Sequence, residues 1–121
     1  MKIFSRLSGA VLYEGETSLR ELVEKHKGNL ANADLKNADL NGCDLRNGNF
    51  KNADLTGVNF YGADLYKCDL SDAILTKADM RYSNLQKANL KNTRMDYAHI
   101  GNAQISDTCF KNTSVLSIQL I

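Results

Sequence analysis

The sequence predicts an all-β coil of square cross-section, stacked into a rod, on three observations. From Leu30 to Leu120 every residue number divisible by five carries an apolar side chain, through nineteen consecutive units without an insertion. A small residue generally precedes the large one by two, as in Ala33 and Leu35, Ala38 and Leu40, or Ala53 and Leu55. The unit is completed by polar residues, as in Lys36-Asn37. A period of five fits neither an α-helix nor a long strand. Side chains two apart in an extended segment do share a face, so each unit reads as a very short strand followed by a polar corner. Four corners close a coil of about 20 residues, stacked on the next at roughly 4.8 Å. Nineteen units then make four to five coils, a rod on the order of 20 Å long.

Residues 1–27 lie outside the repeat and are expected to form one unit, with the repeat occupying 28–121. Lys2 to Leu7 and Ala10 to Glu14 are β-prone runs around Ser8-Gly9, a hairpin signal. Thr17 or Ser18 is suited to N-cap a helix, with Glu21 completing a capping box after Ser18. Leu19, Leu22 and Val23 follow at helical spacing, Lys25, His26 and Lys27 suit the C-terminal end, and Gly28 is the expected stop. Hairpin and helix together would cap the first coil, whose strand edges otherwise stay unpaired.

The repeat strongly resembles the pentapeptide-repeat family, over residues 28–121. The resemblance implies a right-handed quadrilateral β-helix. Arg94, His99, Gln104, Cys109 and Ile74 depart from the usual Asp or Asn, and Ile118 takes a small-residue position. The leader, Val11 to Glu16 followed by Ser18-Leu19-Arg20-Glu21, is similar to that of some phage and bacterial members.

Composition sets the bounds. One domain is expected for 121 residues, of which 43% are apolar and none is proline. A net charge of +1 is not that of a polybasic nucleic-acid binder, so no direct nucleic-acid contact is expected. Three cysteines without a CxxC pair argue against a disulfide scaffold. Cys43 and Cys68 fall at inward small positions and Cys109 at an outward one. No stretch approaches a membrane span, and Ser5, Arg6 and Ser8 interrupt any signal-peptide core. A cytoplasmic, reduced protein is the expectation.

The end of the sequence, Val115-Leu116-Ser117-Ile118-Gln119-Leu120-Ile121, is apolar with no helix or charged tail. A last coil of this kind exposes an apolar end. Val115, Leu116, Ile118, Leu120 and Ile121 are therefore expected to form a two-fold homodimer interface. Family members often pair end to end, which the resemblance extends to this chain.

With a 20-residue coil, residues 20 apart stack. Asn32, Asn52, Asp72, Asn92 and Asn112 then form a corner column of amides and a carboxylate. Asp34 falls under Asp54, and Asp44 under Asp64. Carboxylates about 5 Å apart in water repel by roughly 0.8 kcal/mol, so Lys36, Arg46 and Lys67 are expected close by. Tyr61 falls beneath Arg81, with Tyr82, Tyr97 and Tyr66 around the same side. Tyr and Arg are over-represented at binding hot spots, although Tyr also simply favours strands. Residues 28–79 hold eight Asp against five Lys plus Arg, whereas 80–121 hold two Asp against five. The halves thus carry −3 and +3.

No phosphate-binding loop, zinc spacing or nucleophile motif occurs. The repeat itself generates Asp pairs, so their spacing carries no catalytic information. No enzyme, metal or cofactor is expected. Two functional readings remain. Some family members resemble duplex DNA and bind DNA gyrase or topoisomerase. The resemblance implies that Asp34, Asp39, Asp44, Asp54, Asp64 and Asp79 stand for phosphates against a basic cleft of a DNA-handling enzyme or phage-defence complex. The alternative is an adaptor that holds Tyr61, Tyr66, Arg81 and Tyr82 rigidly for a protein partner.

Overall fold

The computed structural model describes residues 1–121. From Leu30 onward the chain winds in units of five, and each corner closes by the same local bond. The amide of the small residue donates to the carbonyl of the large apolar residue three earlier, as in Ala33 to Leu30 (3.2 Å) and Ala38 to Leu35 (3.1 Å). The residue before the small one lies in the left-handed region at every corner from 32 to 117, fifteen times without glycine and at Gly42, Gly57 and Gly62. A type II turn needs this at its third residue. Asn and Asp bear it at least cost among residues with a side chain.

The Asp or Asn of the next unit fixes the following corner. Asp34 Oδ1 accepts the Lys36 amide (3.2 Å), Asp54 Oδ1 that of Thr56 (3.1 Å) and Asn89 Oδ1 that of Lys91 (3.0 Å). Short polar side chains that bond their own backbone two residues on set such turns. This conformational role explains why the repeat uses Asp and Asn there.

Between coils the backbone bonds in parallel, and the isolated bridges join residues twenty apart, from Asp34–Asp54 to His99–Gln119. Leu35 donates to Asp54, Asn37 to Thr56 and Asp54 back to Ala33, all at 2.8–2.9 Å. The large apolar residues fill the axis, where Leu45, Leu65 and Leu85 lie fully buried one above another. Phe50 and Phe60 meet edge to face, centroids 6.2 Å apart. Hydroxyls and a thiol at small positions are absorbed by carbonyls. Cys68 Sγ donates to Leu45 (2.8 Å), and Thr93 Oγ1 to Leu70 (2.7 Å). No buried side-chain polar atom lacks a partner.

The leader is a hairpin of β1 (Lys2–Ser5) and β2 (Val11–Glu14), then α1 (Leu19–His26). Gly9 takes the left-handed hairpin position, φ 74°. On its free edge β1 pairs antiparallel with β3 (Ala33–Asp34), the first side of the first coil. Ser18 Oγ accepts the Glu21 amide (3.2 Å) and is the helix N-cap. The expected stop at Gly28 is replaced by a 3₁₀ turn over Lys27–Asn29, in which Gly28 has no left-handed geometry. Tightening the last turn brings the Lys27 carbonyl to the Asn49 amide (2.7 Å), a bond that a left-handed glycine cap is not needed for. Tyr13 stacks on His26 with centroids 3.8 Å apart and donates to the Asn29 carbonyl (2.7 Å).

At the other end Val115, Leu116, Leu120 and Ile121 are exposed, with only Ile118 of that group packed against the core.

Candidate interaction surfaces

The rod has no enclosed cleft, and no three metal-ligating side chains converge. No helix is long and apolar enough to cross a membrane. Cys43 and Cys68 are buried, and burial pushes the Cys68 thiol up to about 12. Cys109 is exposed.

The carboxylates named in the sequence stand where the repeat puts them, but most are partnered. Lys36 Nζ lies 2.9 Å from Asp34 and 3.6 Å from Asp54, clipping one stacked pair. Arg46 does the same for Asp44 (2.8 Å) and Asp64 (3.7 Å). Arg46 holds the Asp44 carboxyl well below the usual carboxylate range, by side-chain hydrogen bonds and the Arg46 amide. Burial opposes ionisation of Asp54, but the Thr56 hydroxyl and amide and the Lys36 charge outweigh it, so its pKa falls. The expected counter-charge Lys67 makes no ion pair; its ammonium lies 5.5 Å from the Tyr66 ring centroid. A corner residue points away from the stacked carboxylates, whereas Lys36 and Arg46 begin their corners and reach back. Asp39 is the freest, its side chain 67% exposed and 3.9 Å from Arg20.

A second group is more tightly built. Arg81 forms a bidentate pair with Asp79, Nε to Oδ1 at 2.9 Å and Nη2 to Oδ2 at 2.7 Å. Its hydrogen bonds lower the Asp79 pKa. The Arg81 guanidinium lies 5.1 Å from the Tyr61 ring centroid, one coil below. Tyr82 completes the group, its ring 5.4 Å from that of Tyr61 and tilted by 51°. Tyr61 and Tyr82 remain 40% and 55% exposed. Tyr82 also sits at φ 58°, where the coil below has Gly62 and the coil above Asn102. Tyr97 has the same geometry at φ 62°, so the left-handed φ is common to the corners, and what singles out Tyr82 is its ring contact with Tyr61. Tyr66 and Tyr97 do not join the group: Tyr66 begins the next corner beside Lys67, and Tyr97 belongs to the column of Asn37, Gly57, Lys77 and Ser117. Sequence reasoning placed Tyr61 under Arg81 but missed the strained backbone of Tyr82, which only dihedral angles reveal.

The geometry defines a closed-core repeat solenoid that presents side chains on flat sides. Pentapeptide repeats, in eight copies, match residues 33–72 and 73–112. The chain belongs to the pentapeptide-repeat family, whose members fold as right-handed quadrilateral β-helices. Among solved structures, a pentapeptide repeat protein from the Arabidopsis thaliana thylakoid lumen is 38% identical, with a TM-score of 0.61. The match covers 62% of this chain and 52% of that protein, so the chain spans about half its length. A pentapeptide repeat protein from Nostoc PCC 7120 aligns at 20% identity and TM-score 0.63, over 69% of this chain and 84% of that one. At that identity the likeness concerns the fold alone. No curated protein sequence matches the chain. Pentapeptide-repeat proteins are generally structural or interaction proteins, and no enzymatic family matches the chain.

Proposed function

We propose that the protein is a non-catalytic interaction module that binds a protein partner through the Tyr61, Arg81 and Tyr82 corner. On this reading the hairpin and helix cap a rod of four to five coils, and the rod holds the corner rigid. The observation that carries it is the clamp itself: Arg81 is fixed by Asp79 and stacked on Tyr61, with Tyr82 held beside them at positive φ. Side chains fixed before binding lose little entropy on contact. Aromatic and arginine anchors of this kind account for most binding energy at protein interfaces.

Imitation of nucleic acid by the carboxylates, to inhibit or protect a topoisomerase or other DNA-handling enzyme, is the second reading. The stacked columns Asp34–Asp54 and Asp44–Asp64 favour it, at the coil spacing. Lys36 and Arg46 offset those charges by pairing with them, leaving Asp39 as the most exposed carboxylate of the six. The two readings separate in a pull-down from lysate at low and high salt. Capture that survives high salt and is lost with Tyr61→Ala or Arg81→Ala supports the corner. Capture that falls steeply with salt and is lost with Asp39→Lys or Asp64→Lys supports imitation and overturns the corner.

A further inference from the structure

The net charge of +1 conceals an uneven distribution around the rod. The side formed by Asn49, Asp69, Asn89 and Cys109 is flanked by two corner columns. One stacks Lys51, Ser71, Lys91 and Lys111, tied coil to coil by Asn52 to Ser71 (2.9 Å), Asp72 to Lys91 (3.0 Å) and Asn92 to Lys111 (2.9 Å). The other stacks Lys67 and Lys87, linked through Lys67 to Gln86 (3.0 Å). All five lysines are exposed, and none takes part in an ion pair. The cations Arg20, Lys36, Arg46 and Arg81 are instead occupied by carboxylates of the other three sides.

The acidic groups here are fewer. Asp69 accepts from the Ser71 amide (2.9 Å) and hydroxyl (2.6 Å), and Asp72 accepts from Asn92 (3.2 Å). Asp107 is the third. Between the lysine columns, Asn49 and Asn89 spend their side-chain oxygens on the Lys51 and Lys91 amides (3.1 and 3.0 Å). At Asn59 and Asn84 the same orientation sends the NH₂ to the carboxylate one coil below, whereas the NH₂ groups of Asn49 and Asn89 make no hydrogen bond within the chain. Lys67 and Lys87 stand at left-handed corners, φ 57° and 59°, where Gly or Asn would be less strained. Where the Lys67 column begins, a shallow hollow opens between Lys27, Arg46 and Tyr66.

We infer that this side is a docking surface for the phosphate backbone of a nucleic-acid duplex, bound without reading its bases. It offers ammonium and amide donors in rows along the rod, suited to phosphate oxygens. Its lysine columns frame a flat side that lacks the aromatic platforms which hold single strands by stacking. The side lies across the axis from Asp39, Asn59 and Asp79, so both partners can be engaged at once.

The test is fluorescence anisotropy of a labelled mixed-sequence duplex with the full chain, titrated between 50 and 200 mM salt. Five neutralised phosphates predict a slope of about −4.5 in log K against log salt. Lys87→Glu and Lys91→Glu should each weaken binding about tenfold or more, with unchanged circular dichroism. Lys77→Glu, on the opposite side, should leave it within about twofold. Absence of duplex binding at 50 mM salt overturns the inference, as does an equal loss with Lys77→Glu. Binding of labelled polyglutamate but not of duplex assigns the side to an acidic protein instead, and overturns it too.

Discussion

The Glu24 carboxylate accepts the Asp44 backbone amide at 2.8 Å, standing in for a coil that does not exist. One coil later the equivalent amide, Asp64, donates to the main-chain carbonyl of Cys43 at 2.9 Å. Helix α1 thus supplies from a side chain what the solenoid supplies everywhere else from backbone, and Lys27 does the same for Asn49 through its carbonyl. Glu24→Ala leaves a half-buried donor without a partner, at a cost of about 1–3 kcal/mol. Urea unfolding should show that loss, and Glu24→Gln, which keeps an acceptor, should recover much of it.

Gly48 occupies a small inward position beside the larger Phe50. A Cβ there would lie 2.7 Å from Phe50 Cε2 and 2.9 Å from the Leu45 carbonyl oxygen. Gly48→Ala is therefore overpacked and should cost about 1–3 kcal/mol in equilibrium unfolding. Ala53→Gly, with no such clash to relieve, should also destabilise, so a gain in either variant contradicts the packing.

Left-handed corners make the opposite kind of site. Lys77 has φ 62°, and Lys77→Asn should raise stability by up to about 1 kcal/mol, read as an increase in Tm. Lys77→Val should lower it, because a β-branched residue tolerates that region poorly.

Acid should weaken the rod in a defined window. Asp44, Asp54, Asp79 and Asp96 all have lowered pKa values, chiefly through Arg46, Thr56, Arg81 and Ser114 respectively, with burial opposing them most at Asp54. A carboxylate with a lowered folded pKa adds stability that is complete above its unfolded value, about 3.9, and is lost as pH falls toward the folded one. Tm should be nearly constant from pH 8 to 5 and decline below about pH 4. Asp79→Asn should flatten part of that decline.

The apolar end is proposed to pair two copies of the chain, since Leu116 and Leu120 are each more than 60% exposed. Sedimentation should give a dimer at micromolar concentration that Leu120→Asp converts to monomer. A monomer unchanged by that substitution removes the proposal.

The period of five was enough, by itself, to place the axis, because only one face of each short strand can be apolar and every insertion would break the stack. Leu45, Leu65 and Leu85, the twenty-residue register and the pairing of Tyr61 with Arg81 were legible for that reason. What only the tertiary structure decided were relations that depend on direction rather than register. Lys36 and Arg46 turn onto carboxylates whereas Lys67 does not, Tyr82 is forced to positive φ, and a 3₁₀ turn instead of Gly28 delivers the Lys27 carbonyl to Asn49. A linear repeat fixes which residues stack, but the backbone dihedrals at each corner fix where their side chains point.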